Sequence, residues 1–248
     1  MNEHFLKLNP GKTEIILFTP DRSQKLIGLV HPYTGHIRLK NSVKLLGVNL
    51  DEALTLEPHV NSVISSCYYH LRDIGKFKHN LSSDDLLTLT HSVISSKLDY
   101  CNVILFGLNS SLMYKLQKVQ NAAARLICKL PRRRSVDNEI RKLHWLRVKQ
   151  RCVYKILLTV FKRLNCTCPG FLSSLLVISD PETNSLEYTY YNSKQGRRAF
   201  RYTAPRHWNE LPLIMRKEES TNIFKRNLKT YLFDHTGDIL KGLDRYMV

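Results

Sequence analysis

No apolar run in this chain of 248 residues approaches the length of a membrane helix. Stretches such as Ile15 to Phe18 and Val103 to Phe106 are four residues long, against the roughly 18 or more that cross a bilayer. The opening Met-Asn-Glu-His-Phe has neither the basic nor the apolar part of a secretory signal, so the expectation is an intracellular protein, cytoplasmic or nuclear, with no membrane span. Metal-binding spacing is missing too. Of the six cysteines only Cys166 and Cys168 lie close together, and no second pair or His-x₃₋₅-His completes a tetrahedron, so ordinary reduced thiols are expected. Gly11-Lys12-Thr13 has the end of a phosphate loop without its first glycine, since Leu6 stands there. There is no Gly-x-Ser-x-Gly elbow and no His-Glu-x-x-His. The Asp-Asp pair Asp84-Asp85 follows two serines and precedes Leu86-Leu87, the signature of a helix start, so it reads as capping rather than as the paired carboxylates that hold catalytic metal. No catalytic residue, metal or cofactor is expected from these motifs.

Acidic charge is scarce: 21 Asp and Glu face 38 Lys and Arg, for a formal net charge of +17. The surplus is local. Residues 1–100 are net +1, residues 101–160 net +11 and residues 161–248 net +5. A field that strong in sixty residues attracts polyanions, nucleic acid before an anionic membrane surface. With 43% apolar residues the chain can still build cores, as one large or two modest domains.

Periodicity predicts a fold that is mainly α with a small N-terminal β-hairpin or sheet. Leu8 to Lys12 reads as a turn, Thr13 to Phe18 as a strand in a hairpin, His31 to Lys40 as a turn-bounded piece and Val43 to Leu50 as a second strand. Helices follow over an apolar face from Val60 to Ile74 opened by Pro58, from Ser83 to Leu98, from Leu112 to Leu130, from Asp137 to Leu143, and from Val148 to Leu164 with Cys152, Tyr154, Ile156, Leu157, Val160 and Phe161 in the core. A loop-rich segment at 165–195 holds a short helix from Phe171 to Leu176, and a last helix from Thr221 to Phe233 packs through Phe224, Leu228 and Leu232. On the third helix Lys118, Arg125 and Lys129 share one arc opposite the apolar face, and Pro131 leads directly into Arg132-Arg133-Arg134. These residues, with Lys115, are the candidate nucleic-acid contacts. Arg197 and Arg198, in the stretch of alternating cations and aromatics from Gly196 to Tyr202, are added to them, with a half-buried strand as the alternative reading of that stretch.

Five ordered segments carry a resemblance. Leu8-Asn-Pro-Gly-Lys-Thr-Glu14 with Leu45-Leu-Gly-Val-Asn-Leu-Asp51, then Ser96-Lys-Leu-Asp-Tyr-Cys-Asn102, Leu116-Gln-Lys-Val-Gln-Asn-Ala-Ala-Ala-Arg125, Leu143-His-Trp-Leu146 and Ala204-Pro-Arg-His-Trp-Asn-Glu-Leu-Pro212 are similar to non-LTR (LINE-type) retrotransposon reverse transcriptases of the jockey-like and chicken-repeat-like branches. Phe224 to Phe233 resembles their C-terminal helix. The resemblance implies three parts: residues 1–50 as a residual palm segment reaching the primer grip, 51–130 as a helical thumb along the template–primer duplex, and 131–248 as a basic C-terminal extension. Lys12 matches the family's motif lysine, thought to assist protonation of pyrophosphate. The fingers, most of the palm, the metal-binding aspartates and the endonuclease fall before Met1 on this alignment. The expectation is therefore a truncated fragment that is no enzyme by itself: magnesium serves the parent family, its ligands are absent here, and RNA or DNA is held through the backbone. The alternatives are a helical interaction module for an acidic protein or anionic lipid, and an unselected relic with no function.

Overall fold

The structure, a computed structural model, describes residues 9–18 and 39–235. The β structure is small and the fold mainly helical, as the periodicity predicts. The chain forms two compact units, one ending at Ser62 and one starting at Val63. The expected part boundary at 130/131 falls within the second unit.

In the first unit the hairpin is not where the sequence reading puts it. Val43 to Leu50 is not one strand: β1 (Ser42–Leu45) turns at Leu46-Gly47 into β2 (Val48–Asp51), antiparallel, with Val43 opposite Leu50 and Leu45 opposite Val48. Leu46 and Gly47 have φ of 46° and 83°, the positive values at both central positions that let a two-residue turn match the twist of its strands. Thr13 to Phe18 forms no strand. It makes an isolated bridge between Ile15 and Leu39, because β propensity yields a ladder only where a partner strand lies alongside. The expected piece from His31 lies outside the described residues up to Arg38. Asp51 closes β2 and accepts from the Thr55 and Leu56 N–H groups at 2.9 and 2.7 Å. Partial burial opposes its ionisation, yet these bonds hold its carboxyl below the usual range. Helix α1 (Glu57–Phe77) then carries the chain into the second unit, with Pro58 in its first turn.

The second unit is a helical body. Its α2 (Ser83–Thr90) starts at a capping box: Ser82 Oγ accepts from the Asp85 N–H at 3.1 Å, and the Asp85 carboxylate accepts from the Ser82 N–H at 3.2 Å. The Asp pair is thus a helix start, as read. The helix continues through a π turn (His91–Ser95) into α3 (Ser96–Asp99). After a 3-10 turn (Asn102–Leu105) come α4 (Ser110–Ile127), α5 (Asp137–Lys142) and α6 (Val148–Leu164). The loop-rich segment holds a 3-10 helix (Gly170–Leu175) and a short ladder of β3 (Ile178–Asp180) with β4 (Ser185–Leu186). Then follow α7 (Phe200–Asn209), α8 (Leu213–Arg216) and α9 (Thr221–Asp234).

Helix α6 is the centre of this body, touching α3, α4, α7 and α9. Cys152, Val153, Ile156, Leu157, Val160 and Phe161 are buried on it, while Tyr154, expected in the core, is only half-buried. At about 100° per residue Tyr154 sits roughly 200° from Cys152, on the other side of the helix. Phe161 stacks on Phe224 of α9 at 4.1 Å between centroids, and Trp208 of α7 closes the cluster 5.9 Å from Phe224. Residues 196–202, with a half-buried strand as one reading, form none: a 3-10 turn (Gly196–Arg198) leads into α7, with Pro205 inside the helix. A proline there removes one helical N–H, which is why the pattern hid this helix.

Candidate nucleic-acid interface

The cationic candidates gather on α4 and the loop after it. Leu112, Leu116, Val119, Ala123 and Ile127 bury one face of α4, and Lys115 and Lys118 are exposed on the other. Lys118 Nζ lies 4.6 Å from the ring centre of Tyr114, itself exposed on the same face. The helix ends earlier than Leu130. Lys129 takes a left-handed φ of 51°, with its N–H donating to Leu126 and that of Leu130 to Arg125, the double reversal that satisfies the last carbonyls. Lys129 therefore leaves the helical arc it shares with Lys118 in the sequence, and its ammonium donates to the Leu81 carbonyl at 3.3 Å. Arg125, in the last turn of α4, bonds to the loop that follows: its Nε donates to the Arg134 carbonyl at 3.1 Å, tying the loop to the helix. Arg132, Arg133 and Arg134 all remain exposed. At the far end of the loop, Arg147 pairs with Asp137 at 2.6 Å and, with Ser135, holds that carboxyl below its usual range.

The structure adds residues the sequence reading left out. The Lys129–Leu81 bond, and Leu126 lying 3.9 Å from where a Cβ on Gly75 would be, bring the turn after α1 to the end of α4. Lys78 and His79 belong to that turn, and Lys76, in the last turn of α1, is paired with Asp73 at 2.8 Å. Only a contact between residues some fifty positions apart reveals this. Both helices end here, and cations near helix C-termini are also stabilised by the helix dipole, by about 0.3–1 kcal/mol each.

Arg197 and Arg198 stand differently. Arg198 donates to the Ile104 carbonyl at 3.4 Å and its Cγ lies 2.6 Å from the Cβ position of Gly107, where φ is +71° and no side chain fits. Arg197 donates to the Tyr191 carbonyl at 3.4 Å. Both are half-buried and engaged with backbone, unlike the exposed Arg132 to Arg134.

The other resembling segments act as fasteners. Buried Gln120 donates to the Leu146 carbonyl at 2.8 Å, and Gln117 accepts from the Val148 N–H at 3.1 Å, joining two of the segments to each other. Asp99 forms a two-pronged pair with Arg151 at 2.8 and 2.5 Å. Trp208 donates to the Asn184 carbonyl at 2.7 Å, and Asn209 bonds both backbone groups of Leu186.

Lys12 ends an exposed 3-10 turn (Pro10–Lys12) of the first unit. Glu14 of the first unit is paired with Lys40 and Asp51 accepts from Thr55 and Leu56, and among the described residues no group of three or more His, Cys, Asp or Glu is placed to hold a metal ion such as magnesium. Burial pushes the Cys67 thiol up to about 11 and that of Cys152 up to about 12, so both stay protonated and inert near neutral pH. No described helix is long and apolar enough to cross a membrane.

No family model, curated protein or solved structure matches the chain.

Proposed function

We propose that this chain is the end of the palm, the thumb and the C-terminal extension of a non-LTR retrotransposon reverse transcriptase, and that it holds RNA, DNA or both through the backbone without regard to sequence. The observation that carries the reading is a solvent-facing set of cations: Lys115 and Lys118 on α4, and Arg132, Arg133 and Arg134 on the following loop, which Arg125 ties back to that helix. A tethered loop presents guanidinium groups at lower entropic cost than a free one, and each exposed arginine offers a planar fork to phosphate oxygens. In this reading these residues supply grip on the phosphate backbone.

Salt titration tests it. With about five phosphates neutralised, log K falls against log salt with a slope near −4 to −5, and replacing Arg132, Arg133 and Arg134 together by Ala flattens the slope by about 2 to 3. An unchanged slope overturns this surface. An acidic polypeptide or anionic vesicle that stays bound when a mixed-sequence RNA–DNA hybrid is added in excess marks the chain instead as an interaction module.

A further inference from the structure

From the cation-and-aromatic stretch at 196–202 the fold brings Arg201 to a groove built otherwise from residues 175–190. Arg206 of α7 is buried, with its guanidinium 3.5 Å from the ring centre of Tyr202 and donating to the Thr189 and Tyr202 carbonyls at 3.1 and 2.8 Å. The same guanidinium lies 5.4 Å from the ring centres of both Tyr188 and Tyr190. One interior cation therefore backs two tyrosines, which are themselves 46% and 79% exposed. They line a cavity of about 330 Å³ with Leu175, Val177, Glu187 and Arg201. Arg201 is exposed and spends one donor on the Ser174 carbonyl at 3.3 Å, of the five a guanidinium carries.

We infer that this groove takes an unpaired nucleobase of a single strand, stacked on Tyr188 or Tyr190 with its phosphate on Arg201. The inference rests on the nucleic-acid reading above and assigns that reading a second contact of a different kind. The chemistry selects the ligand. Two exposed rings held from behind offer flat apolar faces, and an adjoining arginine offers a phosphate donor, the pairing by which single strands are held without sequence preference. A quaternary ammonium, the other common guest of aromatic walls, is repelled by Arg206 against both rings and by Arg201 at the rim. The Glu187 carboxylate in the lining is an acceptor for the exocyclic amino group that adenine, cytosine and guanine carry and uracil and thymine lack. A base pair inside a duplex is closed to this contact, so the groove separates single from double strands.

The test compares a labelled six-nucleotide oligoadenylate with a labelled RNA–DNA hybrid on the full chain. Replacing Tyr188 and Tyr190 together by Ala is expected to weaken the oligoadenylate about tenfold or more, with the salt slope and the hybrid affinity unchanged. Tyr188→Phe with Tyr190→Phe restores binding, because phenylalanine keeps the stacking face; this separates lost stacking from lost folding. Unchanged oligoadenylate affinity in the alanine variant overturns the groove. Binding of the hybrid with no binding of the oligoadenylate overturns the groove and leaves the cationic loop standing. Failure of the wild-type chain to bind either one overturns both.

Discussion

Gln120 shows how a residue that looks ordinary in sequence becomes a structural fixture. It is buried within the apolar arc of α4, where its amide donates to the Leu146 carbonyl and accepts from Gln117, which accepts in turn from the Val148 N–H. Its removal orphans an interior carbonyl, and a buried polar group left without its partner costs about 1–3 kcal/mol. Gln120→Leu, near in size, is expected to lower unfolding free energy by about that amount in urea, with the slope against denaturant unchanged. Lys115→Ala, on the exposed side of the same helix, is expected to stay within about 0.5 kcal/mol. A similar stability for the two variants removes the amide relay from the account of how α4 and α6 are joined. The position of Gln120 on the helix was legible from period alone. Its partner at Leu146 was not, because a hydrogen bond to a backbone carbonyl leaves no trace in residue type.

Among the elements, three helices end alike without a glycine. Lys129, His144 and Cys166 take φ of 51°, 51° and 52° just past α4, α5 and α6, and each is followed by a residue whose N–H reaches back five positions, from Leu130 to Arg125, Trp145 to Ile140 and Thr167 to Lys162. A left-handed residue with a Cβ costs about 1–2 kcal/mol, offset in part by the extra chain entropy that glycine loses on folding. Cys166 is exposed, so Cys166→Gly is expected to stabilise by a net of about 0.5–1 kcal/mol and to raise the thermal midpoint by about 1–4 °C. A lower midpoint contradicts the strain. These ends were misread at α4 because helical stop signals were sought in Pro131, whereas the reversal begins at a lysine that no propensity scale marks.

At the scale of the molecule, charge and pH act together. The chain is formally +17 with its histidines neutral, and His59 in the first unit and His91 in the second both have imidazoles held below their usual range. Burial is the cause at His59; at His91 burial comes first and the Arg151 charge adds to it. A histidine of lowered native pKa binds its proton more readily unfolded, so stability is fully present above about 6.5 and falls as pH drops from there toward the native value. The urea midpoint is expected to be lower at pH 5 than at pH 7.5, with part of the drop removed in His91→Asn. A midpoint that rises on acidification reverses the sign and refutes the assignment. Carboxylates such as Asp51 and Asp137, also lowered, act only in a more acidic window.

The amino-acid order by itself determined the predominance of helix, most helix spans from Pro58 to Phe233 and the gathering of cations near α4, since a 3.6-residue period, caps and charge counts are local properties of neighbouring residues. It misplaced the hairpin and hid α7, because a turn at Leu46-Gly47 and a proline inside a helix depend on partners supplied from elsewhere in the chain. Tertiary structure alone decided which cations serve as fasteners and which face solvent. Arg125 closes a loop, Arg206 backs two tyrosines, and Arg132 to Arg134 stay exposed. Identical guanidinium groups differ only in what surrounds them, and those surroundings are set by contacts between residues far apart in sequence.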